Sequence, residues 1–244
     1  MSMIIDDAAL AAHLAEAAGN LLLQVRDGGL HFLEALGRAG DQTANQYLCG
    51  AIRQHRPDDG LLSEEEKDNP GRLAKSRVWI IDPLDGTREY SEGRADWAVH
   101  VALAVDGVPL IGAVALPCQN LVLRTDRTNP LAAAPSILRM VVSRTRPAAQ
   151  ALAVAKALDA ELIPMGSAGA KAMAVVRGEA DIYLHTGGQY EWDSCAPAAV
   201  ALAYGLHVSR VDGSPLVYNQ ADVYMPDLLI CRKQHAAQVL ALIN

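Results

Sequence analysis

With 244 residues, 51% of them hydrophobic and 20% charged, and with 12 Pro and 19 Gly scattered rather than banked, the chain can bury a sizeable core. This composition excludes a disordered or low-complexity protein, and no self-similar period marks a solenoid. A formal net charge of -7 repels polyanions and argues against a nucleic-acid polymer as partner.

Cys49, Cys118, Cys195 and Cys231 stand far apart, without the short paired spacings of zinc or redox motifs, and read as reduced core thiols. Residues 1–5 show no basic region ahead of a signal-like apolar core, and later apolar stretches fall short of a membrane span. The expected location is cytoplasmic, with no membrane partner.

Along the chain, Leu10, Leu14, Ala17, Ala18, Leu21, Leu22 and Val25 recur every three or four residues, predicting a helix capped by Asp6 or Asp7 that ends near Gly28. A second helix is expected from Asp41 to His55, with Ala44, Leu48, Cys49 and Ile52 inward and a stop before Pro57. Val78–Ile81 reads as a short strand running into Asp82-Pro83-Leu84-Asp85-Gly86-Thr87. Two longer strands, Trp97–Val105 and Val108–Leu116, flank the turn pair Asp106-Gly107, and Leu121–Arg124 adds another. A linker is expected over 125–139, dividing residues 1–130 from 131–244.

Beyond it, strands at Met140–Val142, Leu162–Pro164 and Asp181–His185 alternate with helices at Pro147–Leu158, Ala168–Arg177 and Asp193–Tyr204. Pro147 and Pro197 then fall in first helical turns. Leu228–Cys231 and Gln234–Leu242 close the chain as strand and helix. The pattern implies an α+β layered fold of two α/β halves with a cleft between them.

Four acidic sites fall where an element meets a turn: Glu64 with Glu65 and Glu66, Asp82 with Asp85, Asp193, and Asp41. Pro83 fixes the backbone between the paired aspartates, and Gly86 admits close approach of a bound group. Convergent carboxylates suit a hard divalent cation such as Mg²⁺, and two such ions about 4 Å apart would serve hydrolysis of a phosphate ester. Backbone N–H groups of Gly86 and Thr87 could hold phosphate oxygens if they open a helix. Each residue also has a structural reading: Asp41 and Asp193 as helix N-caps, Asp82 and Asp85 as turn formers, Glu64–Glu66 as solvated surface.

Together, Ser63-Glu64-Glu65, Trp79-Ile80-Ile81-Asp82-Pro83-Leu84-Asp85-Gly86-Thr87 and Trp192-Asp193-Ser194-Cys195-Ala196 resemble the lithium-sensitive, magnesium-dependent phosphatase superfamily that includes inositol monophosphatases. Within it, Thr87-Arg88-Glu89-Tyr90, Gly166–Met173 and Asp212–Leu216 are similar to the 3'(2'),5'-bisphosphate nucleotidases of sulfur assimilation, particularly actinobacterial members. The resemblance implies an α-β-α-β-α sandwich with the active site between its halves.

It also implies a substrate, 3'-phosphoadenosine 5'-phosphate, whose 3'-phosphate is removed; 3'-phosphoadenylyl sulfate is a further substrate of this kind. Glu64, Asp82 and the Leu84 carbonyl would hold one Mg²⁺, and Asp82, Asp85 and Asp193 a second, with Glu64 helping to place a third through water. Thr87, bonded to Asp41, would orient the attacking water, and lithium would inhibit. Homodimers are common in such families. The chain departs from the Lys-x-Asp-x-Ser-Pro-Val-Thr run common before the helical aspartate, having Glu34–Gly40 there.

Ser167, Lys171, Tyr190 and Trp192 are candidate substrate contacts beside Gly86, Thr87 and Arg88. Arg88 could meet a second phosphate and Glu89 could tune a metal's water. Gly166–Gly169 reads as a small-residue turn opening a helix toward ribose or phosphate. Lys171 could instead be a solvated first-turn lysine, and Tyr183 and Trp192 core residues. His100 reads as a structural histidine, His185 as a loop residue near the cleft, and Tyr218, Tyr224 and Met225 as interface or core. Inositol phosphate and fructose bisphosphate are alternative substrates for the same metal chemistry, and a non-catalytic binding protein is the alternative outside enzymes.

Overall fold

Two five-stranded sheets and seven α-helices stack in alternate layers in the computed structural model, which describes residues 5–131, 133 and 137–243. In chain order these are α1 (Asp7–Asp27), α2 (Leu33–His55), β1 (Gly60–Ser63), β2 (Arg77–Asp85), α3 (Thr87–Ser91), β3 (Ala98–Val105), β4 (Val108–Leu116) and β5 (Leu121–Arg124). There follow β6 (Arg139–Ser143), α4 (Ala149–Ala157), β7 (Glu161–Met165), α5 (Ala168–Val176), β8 (Ile182–His185), β9 (Gln189–Tyr190), α6 (Glu191–Ala203), β10 (His207–Ser209), β11 (Tyr224–Met225), β12 (Leu228–Cys231) and α7 (Lys233–Ile243). Residues 132 and 134–136 of the expected linker lie outside the described residues.

The first sheet runs β1-β2-β3-β4-β5, parallel only between β1 and β2. The second runs β10-β12-β8-β6-β7, and β9 pairs with β11 alone. Alternation along β2 explains the sandwich. Trp79 and Ile81 join the core against α1 and α2, while Val78 and Ile80 join the core built with α5 and α6. A third core seats α4 and α7 on the far face of the second sheet, through Val154, Ala155 and Val239 against Met140 and Leu229. The result is the α-β-α-β-α order the motifs imply.

Helix α1 is long and apolar enough to cross a membrane by length and composition, at mean hydropathy 1.2. Here it buries Leu10, Leu14, Ala18 and Leu22 in the core against the first sheet, each leucine contributing about 2 kcal/mol by leaving water. The expectation that every apolar stretch falls short of a span is corrected accordingly.

Three other expectations also change. Helix α2 begins at Leu33, not Asp41, so Asp41 is an interior helical residue rather than an N-cap. Helix α6 begins at Glu191, which puts Asp193 at its third position. Pro147 precedes α4, and Pro197 lies inside α6, where it cannot supply the usual helical N–H to the Asp193 carbonyl.

Candidate metal and phosphate site

In a regular strand Asp82 and Asp85, three residues apart, would face opposite sides of the sheet. The β2–β3 register shifts between them, with Asp82 opposite His100 and Asp85 opposite Ala98, so one extra residue is accommodated at the Pro83-Leu84 step. This bulge turns both carboxylates to one side, where Asp193 arrives from α6. One carboxylate oxygen from each of the three lies within 4.8 Å of the others. Glu64 follows β1 directly, its N–H donating to the Ile81 carbonyl at 3.4 Å, and its carboxyl interacts with that of Asp82. The preceding Ser63 hydroxyl donates to Asn45 Oδ1 of α2 at 2.7 Å, which ties this corner to the helical layer.

The electrostatics of the cluster are those of a site that lacks enough positive charge. Burial, then Glu64, Asp85 and Asp193, push the Asp82 carboxyl well above the usual range. Burial and the neighbouring Asp193 push Glu64 up to about 8, and burial with Asp85 pushes Asp193 up to about 6. Asp85 is the exception: burial opposes its charge, but His100 and the Gly169 N–H bring its pKa below the ordinary value. Three hard oxygen donors packed this closely, with Glu64 nearby, fit a divalent cation of the magnesium type, which would take the place of protons.

Asp85, read from the sequence as a turn former, also accepts backbone donors at the start of α5. Its Oδ1 accepts the Ala168 N–H at 3.1 Å and its Oδ2 the Gly169 N–H at 2.6 Å, with His100 Nε2 3.2 Å away. Ser167 Oγ accepts the Ala170 N–H at 2.8 Å, and Asp96 accepts from Gly166 and Ser167. The backbone donors of Gly166–Ala170 are therefore occupied, and the expectation that this helix start meets ribose or phosphate through its backbone is corrected. His100 is buried and structural as expected, its Nδ1 3.0 Å from the Trp192 carbonyl, but it acts on Asp85 itself. The cross-strand pairing of Asp82 with His100 was the signal for this contact, and it needs the strand register to be seen.

Thr87 opens the short α3. Its Oγ1 donates toward the Leu84 carbonyl at 3.2 Å and Asp41 Oδ1 at 3.5 Å. Burial, with a contribution from Glu65, pushes Asp41 up to about 7, and the Thr87 bond acts in the other direction. Gly86 makes the turn possible at φ +92, where an added Cβ would sit 2.9 Å from Ser167 Cβ. Gly86→Ala is expected to destabilise the protein by about 2 kcal/mol through that backbone strain and contact. Urea unfolding measures it, and an unchanged midpoint would contradict this turn geometry.

A cavity of about 430 Å³ is lined by Glu64, Asp85, Thr87 and Asp193 together with Arg88, Arg144, Arg146 and His185. Ser167, Lys171 and Tyr190 line it as well. Lys171 is buried, not solvated: its Nζ donates to the Gly166 and Ser167 carbonyls and lies 5.4 Å from the Tyr183 ring centre. Burial lowers its pKa, against the pull of Asp85. Glu89, also in the cavity lining, pairs with Arg144 at 2.8 Å, an arginine that Glu92 shares.

Trp192 lies outside the cavity lining, its ring stacked on Tyr190 at 4.9 Å with the half-exposed Tyr224 edge-on to Tyr190 at 6.2 Å. Tyr218 and Met225 are core. Arg144 and Arg146, just before Pro147, escaped the sequence reading because basic residues ahead of a helix look like solvated surface.

The layered fold and carboxylate-lined cleft define a class, and comparison with known proteins agrees. The chain matches the inositol monophosphatase family over residues 7–244 and belongs to it. Among its relatives is a 3'-phosphoadenosine 5'-phosphate phosphatase of Mycobacterium leprae, 53% identical over 98% of this chain and 93% of that protein. The 3'(2'),5'-bisphosphate nucleotidase CysQ of Escherichia coli strain K12 is 30% identical, over 87% of this chain and 94% of the relative. In structure, CysQ from Bacteroides thetaiotaomicron matches with a TM-score of 0.81 at 25% identity, covering 92% of this chain and 96% of that one. An inositol monophosphatase from Zymomonas mobilis matches with a TM-score of 0.78 at 20% identity over 100% and 99%, which speaks to the fold.

Proposed function

We propose that this chain is a magnesium-dependent phosphatase that removes the 3'-phosphate of 3'-phosphoadenosine 5'-phosphate, and of the related adenylyl sulfate, in sulfur metabolism. The observation that carries the chemistry is the Asp82, Asp85 and Asp193 cluster, two members of which line a cavity that arginines also line. The relative 53% identical over nearly the whole chain supports the substrate, and the arginines that line the same cavity suit a substrate with two anionic groups.

In this reading Glu64, Asp82 and the Leu84 carbonyl would hold one ion, Asp82, Asp85 and Asp193 a second, and Glu64 would help to place a third through water. Bound Mg²⁺ supplies Lewis-acid polarisation of the phosphate and makes water a stronger acid. The chain's own residues do the rest. Thr87 Oγ1, donating toward Asp41, presents a lone pair to the attacking water, and Asp41 takes charge of the proton at a pKa near working pH. The N–H groups at the start of α3, around Gly86 and Thr87, face the phosphate oxygens. Arg88, Ser167, Lys171 and Tyr190, with Trp192 bracing Tyr190, orient the rest of the substrate.

The halves 1–130 and 131–244 divide the work, the first carrying most ligands and the second Asp193 and the specificity groups. A homodimer is part of this reading on family grounds. A cytoplasmic location is consistent with the four cysteines being free thiols.

The test is phosphate release with Mg²⁺ from 3'-phosphoadenosine 5'-phosphate, inositol 1-phosphate and fructose 1,6-bisphosphate. A large kcat/KM preference for the nucleotide supports the reading. Preference for either other substrate keeps the chemistry and removes the assignment, and no release from any leaves the binding-protein alternative. Lithium at subsaturating Mg²⁺ is expected to inhibit, and turnover unchanged by high lithium counts against a site of this kind.

A further inference from the structure

Glu191 is completely buried, carries a carboxylate, and has no part in the chemistry proposed above. Its two oxygens accept the N–H groups of Asn219 and Gln220, both at 2.7 Å, and its own N–H donates to the Val223 carbonyl at 2.9 Å. The 219–220 segment is in turn fastened to Arg72, another buried charge. Arg72 Nη1 donates to Asn219 Oδ1 at 2.8 Å and Nη2 to the Gln220 carbonyl at 3.0 Å, while Asn219 Nδ2 donates back to the Arg72 carbonyl at 3.2 Å. Asp68 holds the other edge of the guanidinium through Nε at 2.7 Å and Nη2 at 2.9 Å.

The two ends of this chain of bonds are what give it a use. Arg72 sits in the 3-10 turn Pro70–Ala74, on the segment that leaves β1 through Glu64. Glu191 is the first residue of α6, and Asp193 the third, with Asp193 Oδ2 locked to the Tyr190 N–H at 2.6 Å. The position of the Asp193 carboxylate therefore follows the placement of the first turn of α6, and Glu191 is the side chain that anchors that turn. The relay joins parts of the chain 147 residues apart, one end on the segment that follows Glu64 and the other at Glu191, two residues before Asp193.

We propose that Glu191 is a positioning residue for Asp193, and that the Arg72–Asn219–Glu191 relay sets the spacing between Asp193 and the Glu64 side of the metal centre. The inference rests on the metal-site reading above. Groups of this kind, which orient ligands without touching the metal, typically carry about 10–100-fold in metal affinity.

The experiment is Mn²⁺ titration of the metal-free protein, followed by the EPR signal of free Mn²⁺, with thermal unfolding measured in parallel. Wild type, Asp193→Asn, Glu191→Gln and Asn219→Gly are compared. Asn219→Gly keeps the backbone N–H to Glu191 and suits the positive φ of 59°, but removes the side-chain link to Arg72, so it tests the relay even if Glu191→Gln folds poorly. Asp193→Asn defines the site that depends on Asp193. Glu191→Gln is expected to weaken Mn²⁺ binding at that site about tenfold, with Asn219→Gly shifting it in the same direction by less. Lower melting temperatures with wild-type Mn²⁺ affinity in both variants would reduce the relay to a structural brace and overturn the proposal. Loss in Asp193→Asn without loss in the relay variants defeats the relay alone, whereas no Mn²⁺ binding by wild type defeats the metal-site reading and the relay together.

Discussion

Asp82→Asn is expected to lower kcat by about a thousandfold or more, because Asp82 is the carboxylate proposed to ligate both the first and the second ion directly and each Lewis-acid contact is worth several kcal/mol in the transition state. The substitution keeps the shape and the acceptor for the Leu84 N–H at 3.0 Å, so the turn survives. What it removes is a negative charge crowded by Glu64, Asp85 and Asp193. The metal-free variant should therefore be at least as stable as the metal-free wild type at pH 8, while the gain in melting temperature on adding Mg²⁺ should disappear. Phosphate release and thermal unfolding with and without Mg²⁺ check both halves. A variant that keeps a tenth of wild-type kcat would remove Asp82 from the centre of the mechanism.

The second large effect is on stability rather than rate. In metal-free protein, Asp193 at about 6 and Asp82 well above its ordinary value both bind protons more tightly folded than unfolded. Stabilisation from such raised carboxyls is complete below their unfolded values near 4 and is lost as pH rises through the folded values. Metal-free protein should consequently melt at a lower temperature at pH 8 than at pH 5, by roughly 5 °C or more for a chain of this size. Added Mg²⁺ should remove most of that difference by replacing the protons. Asp85 runs the other way, its lowered pKa stabilising above about pH 4, so it does not contribute to the loss. A flat or rising melting profile without metal would show that the carboxylates do not crowd one another as described.

Most strands and the Asp82–Asp85 turn were legible because apolar alternation and turn chemistry are local, while the α-β-α-β-α layer order came from the family resemblance of the motifs. The β12 strand at Leu228–Cys231 and the β4 strand at Val108–Leu116 fall where the pattern puts them. Helix α2 starts at Leu33 rather than Asp41 and runs through Gly37 and Gly40. In the fold a Cβ at Gly37 would lie 2.7 Å from Thr87 Cγ2, so the missing side chain lets α2 pass close enough to carry Asp41 to Thr87. That benefit is tertiary, and propensity cannot report it. The same holds for Lys171, whose burial depends on carbonyls at the helix start and on the Tyr183 ring, and for the closed start of α5, whose donors are taken by an aspartate from another sheet. Arg72 and Glu191 carry no motif that ties them to each other. Their link appears only when the 219–220 loop is folded between them.

The double use of Asp85 has a bearing on how the protein comes into being. Its oxygens bind N–H groups 83 and 84 residues further along the chain, and Asp193 lies beyond those again. A chain emerging from the ribosome makes the Asp82–Asp85 bulge long before it makes the helix start that holds Asp85 or the third carboxylate that completes the cluster. Contacts of such long sequence separation form late and slowly. Nascent or truncated chains would offer a divalent ion only part of its ligand set, so premature metal capture is disfavoured and activity appears only with nearly the whole chain made.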